Sequence, residues 1–491
     1  MIILRHENEL VAEGAFKGMH IVQALYDCAL QNPEEPILVI KSKVDASEFI
    51  TSIGDKPPKR AFISNYNSFN TNIGYVEDSP YIKISNKVKY PTWIKGTNAF
   101  YIHASVVKEI STQLSASVNL LYWLNSVGKL IQPKGVFCYQ LPVLQQDEQL
   151  SNIYLYRFVR QHYKRRWTFF LLFCHLIYEK KFPFFAFAKA QFFKKRSVHI
   201  EQAILSDSIL QKEGKLDYDV IIPTLDRPDY LYDVLRDFCK QTVLPSSVIV
   251  VEQNAESSAT SQLTYLKEES WPFKIIHKFI HQTGACNARN IALSLTKADW
   301  VLLFDDDNRF PEDLMYQVAS ALRVTCSKAL NLAYVQKEEI ENQKGYFQWA
   351  YFGSGSSIVH RDILNQCKFD LALEHGYGED ADFGMQIRNS GYDIIYAPEI
   401  QVRHLKAPIG GFRSKFKFLW SSENILPKPS PQIMYNRSKN TTQSQLKGYK
   451  LTLFLKFYFQ QDVKNPFTYY RYFQKAWLSS LNWASKLPIN A

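Results

Sequence analysis

The chain has 491 residues, of which 46% are hydrophobic and 21% charged, and it carries a net charge of +11. These values are typical of a globular protein with two or three domains, and the positive charge favours anionic partners such as phosphate-bearing substrates, nucleic acid or acidic membrane surfaces. The seven cysteines are scattered and form no CxxC pair, which argues against a zinc module or a disulfide framework and predicts reduced thiols in a cytoplasmic protein.

The sequence predicts neither a secretory signal nor a membrane-spanning helix. The start, "MIILRHENEL", becomes charged within a few residues. The longest apolar run is "WTFFLLFCHLIY" at 167–178, which is too short to cross a bilayer and contains His175.

The first half of the chain is predicted to form two segments. Residues 1–149 have the pattern of an α/β accessory domain, with strands in "PILVIKS" and "NAFYIHASVV" and a helix in "SASVNLLYWLNSVGKLI". Residues 150–210 form a basic, aromatic, helical connector. Two interpretations of its part 157–196 stay open: helices packed between domains with cations in water, or a membrane-surface patch in which Phe and Trp enter the lipid interface.

Strands and helices alternate from 217 to 413, which predicts a mostly parallel sheet covered by helices, and the tail 414–491 is predicted to be helical. In such sheets ligands bind beyond the carboxyl ends of the strands. Two strand ends carry polar residues there. The first strand runs into "PTLDRP", and the second, "SSVIVVEQNA", ends with Glu252 and Asn254.

A third strand, "WVLLF", delivers three consecutive aspartates, Asp305, Asp306 and Asp307. One aspartate would suffice as a helix cap, and three adjacent carboxylates repel one another unless a cation lies between them. Asp305 and Asp307 are two residues apart and can both face one divalent ion, which completes its shell with water and substrate phosphates. Upstream, Arg289 lies in the first turn of a helix that begins with small residues, where a phosphate can bind.

A second group of acids opens the helix in "GEDADFGMQIRNSGY", with Glu379 and Asp380 in its first turn. Acids at this end of a helix commonly complement its dipole, so the pattern alone is ambiguous. Further on, "VRHLKAPIGGFR" combines His404, Lys406 and Arg413 with a glycine pair, a loop that could close on a metal-bound diphosphate.

The order of these pieces resembles the family 2 glycosyltransferases, which are inverting enzymes of GT-A fold. The matching series spans about 219–405 and consists of "VIIPTLDRP", "VIVVEQNA", "GACNARNIAL", "LLFDDD", "GSGSSIVHRDIL", "GEDADFGMQIRNSGY" and "VRH". The resemblance implies a Rossmann-like GT-A sheet and transfer of a sugar, of hexosyltransferase type, from a nucleotide-sugar donor to a glycan or lipid-linked acceptor. It further implies Mn²⁺ or Mg²⁺ as cofactor and a role in cell-surface polysaccharide biosynthesis.

The resemblance also implies roles at the matching positions. Asp380 would be the catalytic base, with Glu379 beside it. Asp305, Asp307 and His404 would bind the metal. Aspartate is usual at the second strand end, so "VEQNA" departs from the family pattern. Residues expected on the donor side are Pro223, Thr224, Asp226, Glu252, Asn254, Arg289, Asp306, Lys406 and Arg413.

Residues 96–137 show a weaker similarity to the segment from "GSGSSIVHRDIL" to "YAPEI". Counting back from Gly128 as Asp380 lies from Gly391 reaches Ser117, and no carboxylate stands nearby. The region 1–149 is therefore either a degenerate glycosyltransferase-like unit that has lost catalysis or an unrelated accessory domain.

Two other functions fit parts of the sequence. A nucleotidyltransferase or pyrophosphorylase would also use acids and a divalent ion, but "PTLDRPDY" lacks the glycines of a phosphate loop. A nucleic-acid-binding protein would fit the net charge, but the charge clusters at 157–196 and in the tail, without a recognisable binding module, so nucleic acid is not expected as a partner. The expected location is cytoplasmic, at the inner membrane face if the connector binds lipid.

Overall fold

The computed structural model describes residues 1–45, 47–54, 57–65, 69–142, 150–202, 216–408 and 416–487. The chain divides into two units: unit 1 comprises Met1–Ser208 and Thr441–Phe459, and unit 2 comprises Ile209–Asn440 and Gln460–Ala491. This division differs from the predicted segments. The connector belongs to unit 1, and the C-terminal extension is shared between the units.

Unit 1 is built on a seven-stranded mixed sheet. Its strands are β1 (Ile2–Glu7), β2 (Leu10–Val11), β3 (Pro36–Lys41), β4 (Ala61–Ser64), β5 (Tyr90–Pro91), β6 (Ala99–His103) and β7 (Phe137–Gln140). They lie in the order β2-β1-β3-β6-β4-β7-β5. The apolar run of β3 is buried from Ile37 to Ile40, as expected of a central strand covered on both faces.

In the described part of Met1–Ser208, four α-helices lie between these strands along the chain and three come after the last strand. They are α1 (Ile21–Gln31), α2 (Ser47–Ile53), α3 (Ala104–Ser111), α4 (Leu120–Ile131), α5 (Asn152–His162), α6 (Arg166–Cys174) and α7 (Phe184–Ala190). A single π-helical turn, His175–Glu179, follows α6.

Unit 2 contains a nine-stranded sheet. Its strands are β8 (Tyr218–Leu225), β9 (Ser247–Gln253), β10 (Lys274–Ile280), β11 (Trp300–Phe304), β12 (Asn308–Arg309), β13 (Ala329–Gln336), β14 (Phe347–Gln348), β15 (Ser356–His360) and β16 (Ile395–His404). The order is β10-β9-β8-β11-β15-β13-β16-β12, with β14 paired to β16. The first four strands are parallel and β15 is antiparallel to both neighbours, so the predicted GT-A-type sheet is confirmed, with a mixed second half.

Helices cover this sheet and continue into the C-terminal region, as predicted. They are α8 (Pro228–Cys239), α9 (Tyr265–Glu268), α10 (Ala285–Ser294), α11 (Leu314–Thr325), α12 (Arg361–Leu364), α13 (Glu379–Asn389), α14 (Pro431–Asn440), α15 (Gln443–Tyr458), which belongs to unit 1, and α16 (Pro466–Ala484). None of the helices in the described ranges combines the length and hydropathy needed to cross a bilayer.

The sheet of unit 1 has the same connectivity as one part of the sheet of unit 2. The parallel pair β1–β3 corresponds to β8–β11, and β4–β7 corresponds to β13–β16. The antiparallel neighbours β6 and β5 correspond to β15 and β14. The spacing agrees too: β6 starts nine residues after β5 (90 to 99), and β15 starts nine after β14 (347 to 356).

A histidine cap recurs at the same place in both units. His103 ends β6 and its Nδ1 accepts the N–H of Ser105 at 3.2 Å, which starts α3. His360 ends β15 and its Nδ1 accepts the N–H of Asp362 at 3.2 Å, which starts α12. Within the described part of unit 1, no strand corresponds to β9 or β10.

Candidate active site

The three consecutive aspartates lie where β11 ends, at the sheet edge where the parallel strands β8 and β9 also end. Asp306 is almost fully buried, and its carboxylate accepts the hydroxyl of Thr224 at 2.7 Å and Nη1 of Arg227 at 2.8 Å. Burial raises the pKa of Asp306 to about 6, although these two donors oppose the shift. Asp306 thus ties the end of β11 to the end of β8.

Asp307 is held by the segment that follows β16. Its Oδ2 accepts the N–H of Ala407 at 2.8 Å and lies 3.3 Å from Nη1 of Arg227. Its Oδ1 is buried without a hydrogen-bond donor and lies 3.4 Å from Nε2 of His404. Burial opposes ionisation, but His404, the Ala407 N–H and Arg227 outweigh it and hold the pKa of Asp307 below its ordinary value.

Asp305 faces the centre of the site. Its Oδ2 accepts the hydroxyl of Tyr334 at 2.9 Å, and its Oδ1 lies 3.5 Å from Nη2 of Arg289. The ring of Tyr334 stacks on His404 with centroids 4.6 Å apart. Gly355 lies so close that a Cβ there would collide with the Asp305 carboxylate, so the small residue in "GSGSS" makes room for the aspartate.

Arg289 lies close to both groups of acids. It projects from the first turns of α10, is 6% exposed, and its Nε and Nη1 have no hydrogen-bond partner. Its charge lowers the pKa of both Glu379 and Asp380 against the effect of their burial. An isolated buried guanidinium is costly, so these free N–H groups mark a place for an anion or for tightened contacts in the ligand-bound state.

Glu379 and Asp380 open α13, immediately after Gly378 in a left-handed conformation. Burial raises the pKa of both carboxyls, that of Glu379 to about 7, and the charge of Asp380 adds to the shift of Glu379. The backbone N–H of Ser354 lies 3.4 Å from Oδ2 of Asp380, and Oδ1 is buried without a partner. Because burial raises the pKa of Asp380 and one of its oxygens is free, this carboxyl group is suited to accept a proton from a substrate.

Residues 219–362 match the family model described as Glycosyl transferase family 2. The chain contains a family 2 glycosyltransferase domain. The match includes the aspartates after β11 and ends before α13.

Two curated relatives are similar to this region. The succinoglycan biosynthesis protein ExoM of Rhizobium meliloti is 24% identical over 208 residues, covering 38% of this chain and 66% of that protein. An uncharacterized glycosyltransferase of Haemophilus influenzae is 29% identical over 91 residues, covering 18% of this chain and 29% of that protein. The chain thus spans less than two thirds of the length of either relative.

Among solved structures, S. aureus TarS 1-349 in complex with UDP-GlcNAc aligns with a TM-score of 0.39 and 18% identity, covering 56% of this chain and 82% of that one.

The donor-side residues predicted for the glycosyltransferase domain fall into separate environments. Pro223 and Thr224 lie in β8, and Thr224 bonds to Asp306 as described. Asp226 follows β8 at φ +54° and lies 3.4 Å from Nδ2 of Asn254. Glu252 instead bonds to protein groups: the hydroxyl of Ser261, the N–H of Gln262, and His277 at 2.9 Å.

The small-residue start of α10 holds a protein carboxylate. Glu374 accepts the N–H groups of Cys286 and Asn287 at 2.9 and 2.8 Å, and Gly284 at φ +144° leaves room for it. The sequence indicated a phosphate at this helix N-terminus, whereas the structure has the carboxylate of Glu374 on these N–H groups. Of the predicted closing loop, Lys406 bonds to Gln336, and Arg413 lies outside the described residues.

Arg227, Tyr334 and Lys439 are site residues that the sequence did not single out. Arg227 belongs to the segment "PTLDRP", and its position just after the end of a strand is the feature that could have identified it as a site residue.

Lys439 belongs to α14 and lies 2.9 Å from Asp382 and 3.0 Å from Asp370. Asn440 donates to Asp382 at 2.7 Å, and Asn436 donates to the carbonyl of Gly378 at 2.9 Å. Helix α14 therefore fixes the start of α13.

Lys439→Met is expected to lower kcat by about ten- to a hundredfold, because the helix that carries Asp380 would lose its anchor and small displacements are costly in catalysis. The KM for the donor should change little, because Lys439 contacts none of the aspartates after β11. Lys439→Arg should restore part of kcat, and Lys475→Met on the exposed side of α16 serves as the matched control. Steady-state kinetics check this; an unchanged kcat in Lys439→Met contradicts it.

Proposed function

We propose that unit 2 is an inverting, divalent-metal-dependent glycosyltransferase. It would move a sugar from a nucleotide-sugar donor to a glycan or lipid-linked acceptor. The observation that carries the proposal is the pair of acid clusters, Asp305–Asp307 after β11 and Glu379–Asp380 at α13, with Arg289 between them. The name of the relative ExoM, a succinoglycan biosynthesis protein, supports a role in polysaccharide biosynthesis. A cytoplasmic location and a cell-surface product are further parts of the proposal.

The metal part of the proposal rests on the donor atoms around Asp307. Its buried Oδ1 lacks a hydrogen-bond donor, and the imidazole of His404 lies beside it. The described residues contain no group of three or more His, Cys, Asp or Glu side chains arranged for a metal. Mg²⁺ and Mn²⁺ suit a site with few protein ligands, since substrate phosphates and water complete the shell, so these residues fit such an ion.

In this proposal Asp307 and His404 hold the metal, with Asp305 as a further carboxylate. The ion, when bound, would stabilise the charge that develops on the leaving diphosphate. Arg227 and Arg289 contribute positive charge of the chain itself to the same edge of the sheet. The positive charges of Arg227 and Arg289 also explain why three adjacent aspartates are tolerated when no metal is bound.

Asp380 is proposed to accept the proton of the acceptor hydroxyl as that oxygen attacks the sugar. Burial raises its pKa, and Arg289 keeps it from rising further, which suits a base that must be ionised near neutral pH. A base on the face opposite the diphosphate gives direct displacement with inversion. Glu379 shares the titration of the pair and helps to set the charge at Asp380.

We also propose that unit 1 is a degenerate, non-catalytic GT-A-like unit. Pro36 pairs with His103 as Trp300 pairs with His360, so residues 41–43 occupy the positions of 305–307. These residues are Lys41, Ser42 and Lys43, which cannot bind a cation in place of aspartates. The first turn of α4 has no acid, whereas that of α13 has three.

Screening nucleotide sugars for thermal stabilisation and for hydrolysis in the presence of Mn²⁺ tests the proposed function. One nucleotide sugar is expected to raise the Tm and to be slowly hydrolysed, and EDTA should abolish both effects. If no nucleotide sugar binds, and the protein instead binds DNA with a salt-sensitive affinity, the proposal is wrong.

A further inference from the structure

The connector presents an unusual surface, and its helices are firmly attached to unit 1. Leu155, Tyr156 and Phe158 of α5 are fully buried, and so are Leu171 and His175 further along. The hydroxyl of Tyr156 lies 3.1 Å from Nδ1 of His175, which joins α5 to the turn after α6. The opposite side of α6 and α7 is therefore held in a defined orientation.

That opposite side is apolar. Within residues 164–195, eight large hydrophobic side chains are 39–88% exposed. They are Phe169, Phe173, Leu176, Ile177, Phe182, Phe184, Phe185 and Phe192. We call this set the connector surface.

Aromatic contacts make part of the connector surface continuous. Phe187 packs against Phe169 and Phe184 with centroids 5.0 and 6.4 Å away, and Phe184 stacks on Phe182 at 5.7 Å. Single exposed hydrophobic residues are common in folded proteins, but a contiguous patch of phenylalanines marks an interaction site.

The segment that carries the connector surface is also rich in exposed cations. Eight lysine and arginine residues in the same segment are exposed: Lys164, Arg165, Arg166, Lys180, Lys181, Lys189, Lys194 and Lys195. The one acid of the segment, Glu179, accepts the hydroxyl of Tyr75. A partner that suits both sets of side chains therefore combines an apolar region with negative charge.

We propose that the connector surface binds the interface of an anionic lipid bilayer. The phenylalanines would enter the boundary between headgroups and acyl chains, and the lysine and arginine side chains would reach the lipid phosphates. Each cation near an anionic leaflet adds to the binding, so hydrophobic insertion and charge attraction act together. This docking does not depend on the proposed sugar transfer, but it would bring unit 1 to a surface where lipid-linked acceptors reside.

Co-sedimentation of the full chain with vesicles tests the docking. Vesicles of equimolar phosphatidylcholine and phosphatidylglycerol should retain the protein, and pure phosphatidylcholine vesicles should retain it at least about tenfold less. Phe185→Ser with Phe192→Ser should lower the partition coefficient at least about tenfold. The triple change Lys189→Gln, Lys194→Gln and Lys195→Gln should lower it to a similar extent.

Ile340→Ser is the matched control, because Ile340 is 79% exposed and belongs to unit 2 rather than to the connector surface. It should leave the partition coefficient unchanged. Failure of the wild-type chain to bind the anionic vesicles, equal binding to neutral ones, or an equal loss in Ile340→Ser would overturn the proposal. So would a dimer that the two phenylalanine changes dissociate in the absence of vesicle binding, since a second copy would then be the occupant.

Discussion

Asp380→Asn is expected to lower the turnover of sugar transfer by about a hundred- to ten-thousandfold, the usual contribution of a general base. The amide keeps the size of the side chain but cannot take a proton from the acceptor hydroxyl. Donor affinity should be nearly unchanged, because Asp380 belongs to α13 and the proposed metal ligands follow β11 and end β16. Turnover with the donor identified by the screen, together with donor binding by calorimetry, checks both expectations.

Two further variants show whether the loss of turnover is specific to Asp380. Asp362→Asn is the matched control, since this exposed carboxylate of the same unit pairs with Lys328 and lies outside the proposed site. Glu379→Gln should reduce turnover less than Asp380→Asn, because Glu379 acts on the charge of the pair rather than on the substrate proton. Near-wild-type turnover in Asp380→Asn would refute its role as base, and substantial residual transfer would also count against a non-catalytic unit 1.

Local sequence patterns predicted the parts of the site that one element delivers. Asp305–Asp307 follow an apolar strand and Glu379–Asp380 start a helix, so their positions on the fold could be inferred from the residues alone. Their roles in metal binding and catalysis stay predictions. The strand ends at "PTLDRP" and "VEQNA" were likewise visible as candidate ligand positions.

The contacts that join distant segments could not be predicted in this way. Arg227 reaches Asp306 across 79 positions, and Tyr334 reaches Asp305 across 29, because β8, β11 and β13 are assembled in one sheet. Strand order is set by packing of the whole sheet, and no periodicity in one segment encodes it. Lys439 lies outside the segment matched by the family model, where the sequence indicated only a helix.

The similarity between the two units was also only partly visible in the sequence. The sequence revealed it only between residues 96–137 and the region around α12 and α13. The strand pairings extend it to β1, β3 and β4, where the sequences differ and charge is reversed at Lys41 and Lys43. A fold constrains the pattern of buried strands more tightly than the polar residues at their ends, so two sheets can share strand connectivity while their strand ends differ.

Asp307→Ala is expected to weaken donor binding in the presence of Mn²⁺ by at least about tenfold, because it removes the buried oxygen beside His404 that best fits a metal. EDTA should weaken donor binding to the wild-type chain to a similar extent and have little further effect on the variant.

Asp307 also accepts the N–H of Ala407, so Asp307→Asn, which preserves the shape of the side chain, separates loss of charge from loss of structure. Asp233→Ala, at an exposed carboxylate paired with Arg309, is the control. Calorimetric titration of the donor with and without Mn²⁺ gives the affinities. Equal donor affinity with Mn²⁺ and with EDTA in the wild-type chain would rule out the metal at Asp307, and the arginines beside the aspartates would then have to balance the diphosphate alone.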